Sequence, residues 1–155
     1  MLTHHRKPVS LSWISTDLPV WSTIKTVATL EQKDQERFTL LLTEPPTPKE
    51  QPPQASIAKN SPLLWIEISP YRVTMTRQAK NQLNYRHFWE QGVYGVSRYW
   101  LNNDSLPDNQ QLHFRNFTRC LLLIGRPVPQ KLRVEYELWS GERLGKYVLN
   151  LKIHN

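Results

Sequence analysis

The chain has 155 residues, one cysteine and a formal net charge of +7. That length suits one domain with its own core. A lone thiol excludes an internal disulfide framework, and the longest apolar run, CLLLI, is far short of the roughly 20 residues of a membrane helix. Six tryptophans beside a hydrophobic fraction of only 39% imply a core built from a few large rings.

Taken in chain order, the N-terminal MLTHHRKPVSLSW carries charge but no apolar h-region, so it does not read as a signal peptide. A cytoplasmic protein with no membrane attachment is the expectation. IKTVATLEQ (24–32) and RFTLLLTE (37–44) alternate at period two around KDQE and predict a hairpin. The segment 43–62 holds half of the prolines, five of them between 45 and 53, and is polar, which predicts an exposed Pro-rich loop. LLWIEIS (63–69) and YRVTMTRQ (71–78) predict a second hairpin turning at Ser69-Pro70. RQAKNQLNYRHFWEQ (77–91) has good helix formers and no Gly or Pro, and predicts a helix that ends at Gly92.

GVYGVSRYWL (92–101) predicts a strand, and LHFRNFTRCLLLIG (112–125) one long strand or two short ones. The last segment is the clearest. Leu132, Val134, Tyr136 and Leu138 alternate with Arg133, Glu135, Glu137 and Trp139, and after SGERLG the same pattern returns through Tyr147, Leu149, Leu151 and Ile153. Two period-two runs around a Gly-bearing turn predict a hairpin. The whole chain, 1–155, reads as a single β-rich domain. Its expected fold is an antiparallel β-sandwich or open barrel of about seven or eight strands with one or two short helices. Trp65 and Trp100 are expected in the core, and Trp139 on the solvent side.

The charge is not spread evenly. Residues 71–133 hold ten bases, eight of them Arg, against Glu90, Asp104 and Asp108, while the flanking segments each balance to zero. Arginine pairs two oxygens of a phosphate or carboxylate at once and stacks on rings. A basic zone interleaved with aromatics suits an anionic partner, either nucleic acid or an acidic protein surface. The candidate binding residues are Arg72, Arg77, Arg86, Trp89, Tyr94, Arg98, Tyr99, Arg115 and Arg119, with Tyr85 as a further stacking ring. The bland alternative is a solvated basic face that aids solubility. A third reading is a subunit of an assembly, with the aromatics and the C-terminal hairpin edge as its interface.

No phosphate-binding glycine loop, nucleophile elbow, HExxH or paired cysteines occur. No catalytic residue, metal or cofactor is therefore expected. His87 reads as a packed, hydrogen-bonded ring rather than a general base. Glu90 reads as an acid–base residue or, equally well, as the ion-pair partner of Arg86 at i, i+4, and Cys120 as a buried inert thiol.

VTMTR (73–77), SRYWL (97–101) and LGKYVL (144–149) resemble short pieces of chorismate lyase, a small antiparallel α+β enzyme. The resemblance implies cofactor-free removal of pyruvate from chorismate, a small dianionic substrate, to leave 4-hydroxybenzoate. That family uses an arginine to clamp a substrate carboxylate. A gapless alignment puts Asn102 in its place and a shifted one puts Arg119 there. The family's late glutamate corresponds to Glu135 or Glu137. This is the enzyme alternative to the binding reading.

Overall fold

The computed structural model describes residues 4–16, 21–45, 61–80, 82–101 and 111–154. They form ten strands: β1 (His4–Ser15), β2 (Trp21–Gln32), β3 (Phe38–Thr43), β4 (Leu63–Ile68), β5 (Arg72–Gln78), β6 (Leu83–Glu90), β7 (Tyr94–Leu101), β8 (Gln111–Ile124), β9 (Lys131–Ser140) and β10 (Glu142–Ile153). Each pairs antiparallel with its neighbours in sequence, and β10 pairs with β1, so the sheet closes into a barrel. The expectation of a mainly β, antiparallel fold holds. The sandwich or open barrel of seven or eight strands does not, and among the described residues there is no helix. Closure also removes the hairpin edge expected as an assembly interface, because β1 covers β10 from Val9↔Ile153 to Ser15↔Tyr147.

The expected helix over 77–91 is instead the end of β5, a turn and β6. Buried Asn84 organises the turn. Its Oδ1 accepts from the Ala79 N–H at 2.5 Å, and its Nδ2 donates to the Gln82 carbonyl at 3.1 Å. Beyond it, Tyr85, His87 and Trp89 face inward while Arg86, Phe88 and Glu90 face outward. Bulky residues on both faces hide this period-two pattern from a hydrophobicity count. Gly92, with φ +76°, ends β6 as expected, but as a hairpin turn into β7. Glu90 consequently pairs across the sheet with Arg72 at 2.9 Å, not with Arg86.

β1 went unassigned in the sequence because of its polar outward residues and Pro8. Val9, Leu11 and Trp13 nevertheless alternate with Ser10 and Ser12. The Pro8 carbonyl accepts from the His154 N–H just beyond the end of β10. The ring nitrogen thus lies where the ladder ends and needs no donor. The Pro-rich loop expected at 43–62 lies, over residues 46–60, outside the described residues.

Alternation sorts the side chains into a lumen and an outer surface. Toward the end carrying the β2–β3, β4–β5, β6–β7 and β8–β9 turns, the lumen is packed with aliphatics including Leu30, Leu40, Ile66, Ile68, Leu132 and Leu151. Toward the other end the filling is aromatic. Ten strands enclose a wider space than eight, and large rings are needed to fill it. Trp13 on β1 reaches across to β6, which lies diametrically opposite in the strand order. Its ring sits 5.5 Å from Tyr85, 5.3 Å from His87 and 6.4 Å from Trp89. Trp65, expected in the core, faces outward and is 44% exposed. Trp100 is outward and partly buried, as is Trp139, and Cys120 lies at intermediate depth.

Candidate functional site

The nine candidate binding residues fall on both sides of one wall. Arg72, Arg86, Tyr94, Arg98, Arg115 and Arg119 project outward from β5–β8. Arg77, Trp89 and Tyr99 project inward, and so cannot belong to the expected surface. Trp89 is fully buried. Arg77 forms a two-pronged pair with Glu44 at 3.1 and 3.2 Å, and also donates to the Leu83 carbonyl and to Gln82. The cause is alternation within each strand: Arg77 is five positions from Arg72 on β5, Trp89 three from Arg86 on β6 and Tyr99 one from Arg98 on β7, so each faces the opposite way.

On the outer face, ion pairing consumes much of the basic excess. Arg72 pairs with Glu90, Arg133 with Glu135 at 2.7 Å, and Arg119 with Glu137 at 3.1 Å. Glu137 is only 3% exposed and also takes Arg143 at 3.7 Å. Of the candidate arginines, Arg86, Arg98 and Arg115 have no carboxylate partner among the described residues. Arg86 and Arg98 are directly opposite on β6 and β7, and Arg98 is opposite His113 on β8. Like charges in directly opposed positions repel. Arg115 lies 4.4 Å over the Tyr94 ring, which packs on Phe117 at 5.0 Å. The stretch is a basic row bordered by rings.

The inner face of the same strands carries a buried polar cluster that the sequence reading did not assemble. His87 Nδ1 and Ser97 Oγ share a hydrogen bond of 2.7 Å, and Asn116 Nδ2 donates to the same oxygen at 2.9 Å. The Tyr99 hydroxyl stands 3.5 Å from His87 Nε2. The His87 ring stacks on Trp89 at 5.0 Å, and Trp13 Nε1 donates to the Tyr136 hydroxyl at 2.9 Å. Burial pushes the His87 imidazole down to about 3, so the ring is neutral near pH 7 and packed, as expected. Burial pushes the Tyr85, Tyr99 and Tyr136 phenols well up, so they remain protonated donors. Trp89 Nε1, Asn116 Oδ1 and Thr118 Oγ1 are buried with no hydrogen-bond partner among the described residues.

Among the described residues no three of His, Cys, Asp and Glu stand close enough together to hold a metal ion. The alternation in LNYRHFWE (83–90) was the signal that could have found the inner cluster.

The fold and these two faces define a ten-stranded meander barrel with an aromatic lumen. No family model matches the chain, and no curated protein matches it. A similar solved structure is the crystal structure of ywiB protein from Bacillus subtilis. It has a TM-score of 0.62 at 12% identity, over 99% of this chain and 94% of that one. At that identity the likeness is one of fold.

Proposed function

We propose that the protein is a non-enzymatic binding module whose outer β5–β8 face takes an anionic macromolecule, a single strand of nucleic acid, through Arg86, Arg98 and Arg115. What carries the reading is the Arg86–Arg98 juxtaposition, continued by His113, with no carboxylate beside it among the described residues. Two adjacent guanidinium groups repel until an anion bridges them. Tyr94, 53% exposed and next to Arg115, offers a ring edge at the same place. The test is fluorescence anisotropy with labelled single-stranded RNA and DNA over a salt series, beside a charge-matched basic control. Binding should exceed the control, and changing Arg86 and Arg98 to Ala should flatten the log–log salt slope by about 0.7 per lost phosphate contact. Binding no tighter than the control would sink this reading and leave an acidic protein surface as the partner to test.

The second reading is the cofactor-free lyase that VTMTR, SRYWL and LGKYVL suggest. Its favourable observation is that Arg77, within the first of these segments, faces the lumen. Against it, Glu44 already neutralises that guanidinium, and a dianion needs free cations. Turnover of chorismate to pyruvate by the purified protein decides it, with Arg77→Ala as the control.

A further inference from the structure

The end of the barrel that carries the β2–β3, β4–β5, β6–β7 and β8–β9 turns, all within the described residues, leaves one strand edge open. β7 begins at Tyr94, opposite Phe117. Past that point β8 runs on from Arg119 to Ile124 with a strand, β9, on one side only. Gln91 takes the first two groups of this edge, the Arg119 carbonyl and the Leu121 N–H. Successive residues of an antiparallel strand turn their backbone groups to alternate sides. The Leu121 carbonyl and both groups of Leu123 therefore also point away from β9. Ile124 keeps the alternation, since its carbonyl accepts from the Gln130 N–H at 2.8 Å on the β9 side. The three groups beyond Gln91 have no partner among the described residues.

No charge or proline between Cys120 and Ile124 blunts the edge. CLLLI, the longest apolar run of the sequence, lies along it, and Leu122 and Ile124 are 47% and 46% exposed. Beside it is a cavity of about 620 Å³, between Leu123 and Arg126 on one side and Phe38, Pro70 and Glu36 on the other. That far wall limits what can pair here. A second copy of the barrel holds its own edge behind the same wall, so two such edges do not meet, whereas one extended chain fits. The charges nearest the edge are basic. Arg126 follows it, Lys131 stands opposite Ile124, and Lys152 stands opposite Lys131. None of the three has a carboxylate partner among the described residues. Glu36, across the cavity, is the one acid in its lining.

We propose that this edge binds an extended segment of a partner protein by strand addition. The segment bonds to the free groups of Leu121 and Leu123, turns alternate apolar side chains into the Phe38–Pro70–Leu123 cavity, and sets an acidic residue toward Arg126 and Lys131. The site does not use Arg86, Arg98 or Arg115.

The probe is a heptapeptide selected from a random display library on the full chain and then synthesised. It should alternate apolar residues and carry an Asp or Glu. Hydrogen exchange at the Leu123 amide, open in the free protein, should slow at least tenfold when the peptide is bound. The same peptide N-methylated at alternate residues along its bonding edge keeps its side chains and should bind at least tenfold more weakly, with the protein untouched. Leu123→Pro deletes an N–H that the ladder does not use and should weaken the peptide as much. Arg126→Glu should weaken it severalfold, and Arg86→Ala/Arg98→Ala should leave it unchanged. The proposal is overturned by no enrichment above a selection on the Leu123→Pro chain, by unchanged exchange at Leu123, or by indifference to N-methylation. A dimer that protects the Leu123 amide with no peptide present would overturn it too.

Discussion

The two faces of β6–β8 are built from one stretch of sequence and obey opposite rules. On the inside, His87, Ser97 and Asn116 bond to one another, and Trp89, Tyr99 and Tyr85 pack ring against ring. On the outside, Arg86 and Arg98 sit side by side and Arg115 lies diagonal to Arg98, none with a carboxylate partner among the described residues. The inside holds itself together through its own contacts, although Trp89 Nε1, Asn116 Oδ1 and Thr118 Oγ1 find no partner among the described residues. The outside carries a repulsion that a partner would relieve. A buried polar atom without a partner costs free energy, whereas an exposed guanidinium is solvated and costs little.

The comparison is broken most severely at Trp13, whose ring reaches across the lumen from β1 to β6. Trp13→Ala should destabilise the barrel by about 3 kcal/mol, the low end of the range for deleting a large core aromatic because Trp13 is only partly buried, as read by chemical denaturation. Arg86→Ala on the opposite face should stay within about 0.5 kcal/mol of the parent. Equal effects would mean that the lumen is not the stabilising half.

Acid should separate the faces next. The folded-state pKa of His87 lies below its unfolded value of about 6.5. The unfolded chain therefore takes up a proton that the native ring refuses, and stability falls as pH drops below about 6.5. Above that pH the group contributes no slope. From pH 6.5 to 5 the loss is about 2 kcal/mol. His87→Phe should flatten the denaturation profile over that interval; an unchanged slope would show that another group carries it.

A third test concerns the device that keeps the faces sorted. β8 has a bulge between Thr118 and Cys120, and Gln91 fills it. Its Nε2 donates to the Arg119 carbonyl at 3.1 Å, and its Oε1 accepts from the Leu121 N–H at 2.5 Å. The bulge shifts parity so that Leu121 and Leu123 face inward after Thr118. Gln91→Ala should cost about 1–2 kcal/mol, since it strands two backbone groups. Hydrogen exchange should rise at Leu121 before it rises elsewhere in β8.

The smallest effect has the opposite sign. Arg98→Glu replaces a repulsive cross-strand pair with an attractive one, and should stabilise the protein by up to about 1 kcal/mol. The same change should abolish nucleic-acid binding. Stabilisation with binding retained would move the interface away from this row.

Much of this was legible in local pattern. Leu132–Leu138 and Tyr147–Ile153 alternate cleanly because each strand has one buried and one wet face, and their hairpin appears as expected. The hairpins around 33–36 and Ser69-Pro70 follow from the same period and from turn chemistry. In the first, Asp34 Oδ1 accepts from the N–H groups of Glu36 and Arg37 at 2.9 Å each. Gly92 was readable as a break because positive φ favours glycine. The segment 77–91 was misread as a helix because helix propensity there is good, and tertiary burial overrode it: Tyr85, His87 and Trp89 are worth more inside the barrel than on a helix. Likewise, proximity of arginine and ring in the chain did not mean proximity in space, since alternate residues part company across the wall.

By itself, then, the sequence determined the β-rich, antiparallel character, most turns and the location of the basic excess, because these depend on residues a few positions apart. Only the tertiary structure decided that β1 closes against β10, that Trp13 meets His87 across the lumen, and which arginines share a face. Those outcomes depend on strand number and register, and they join residues separated by most of the chain, where no local period carries information.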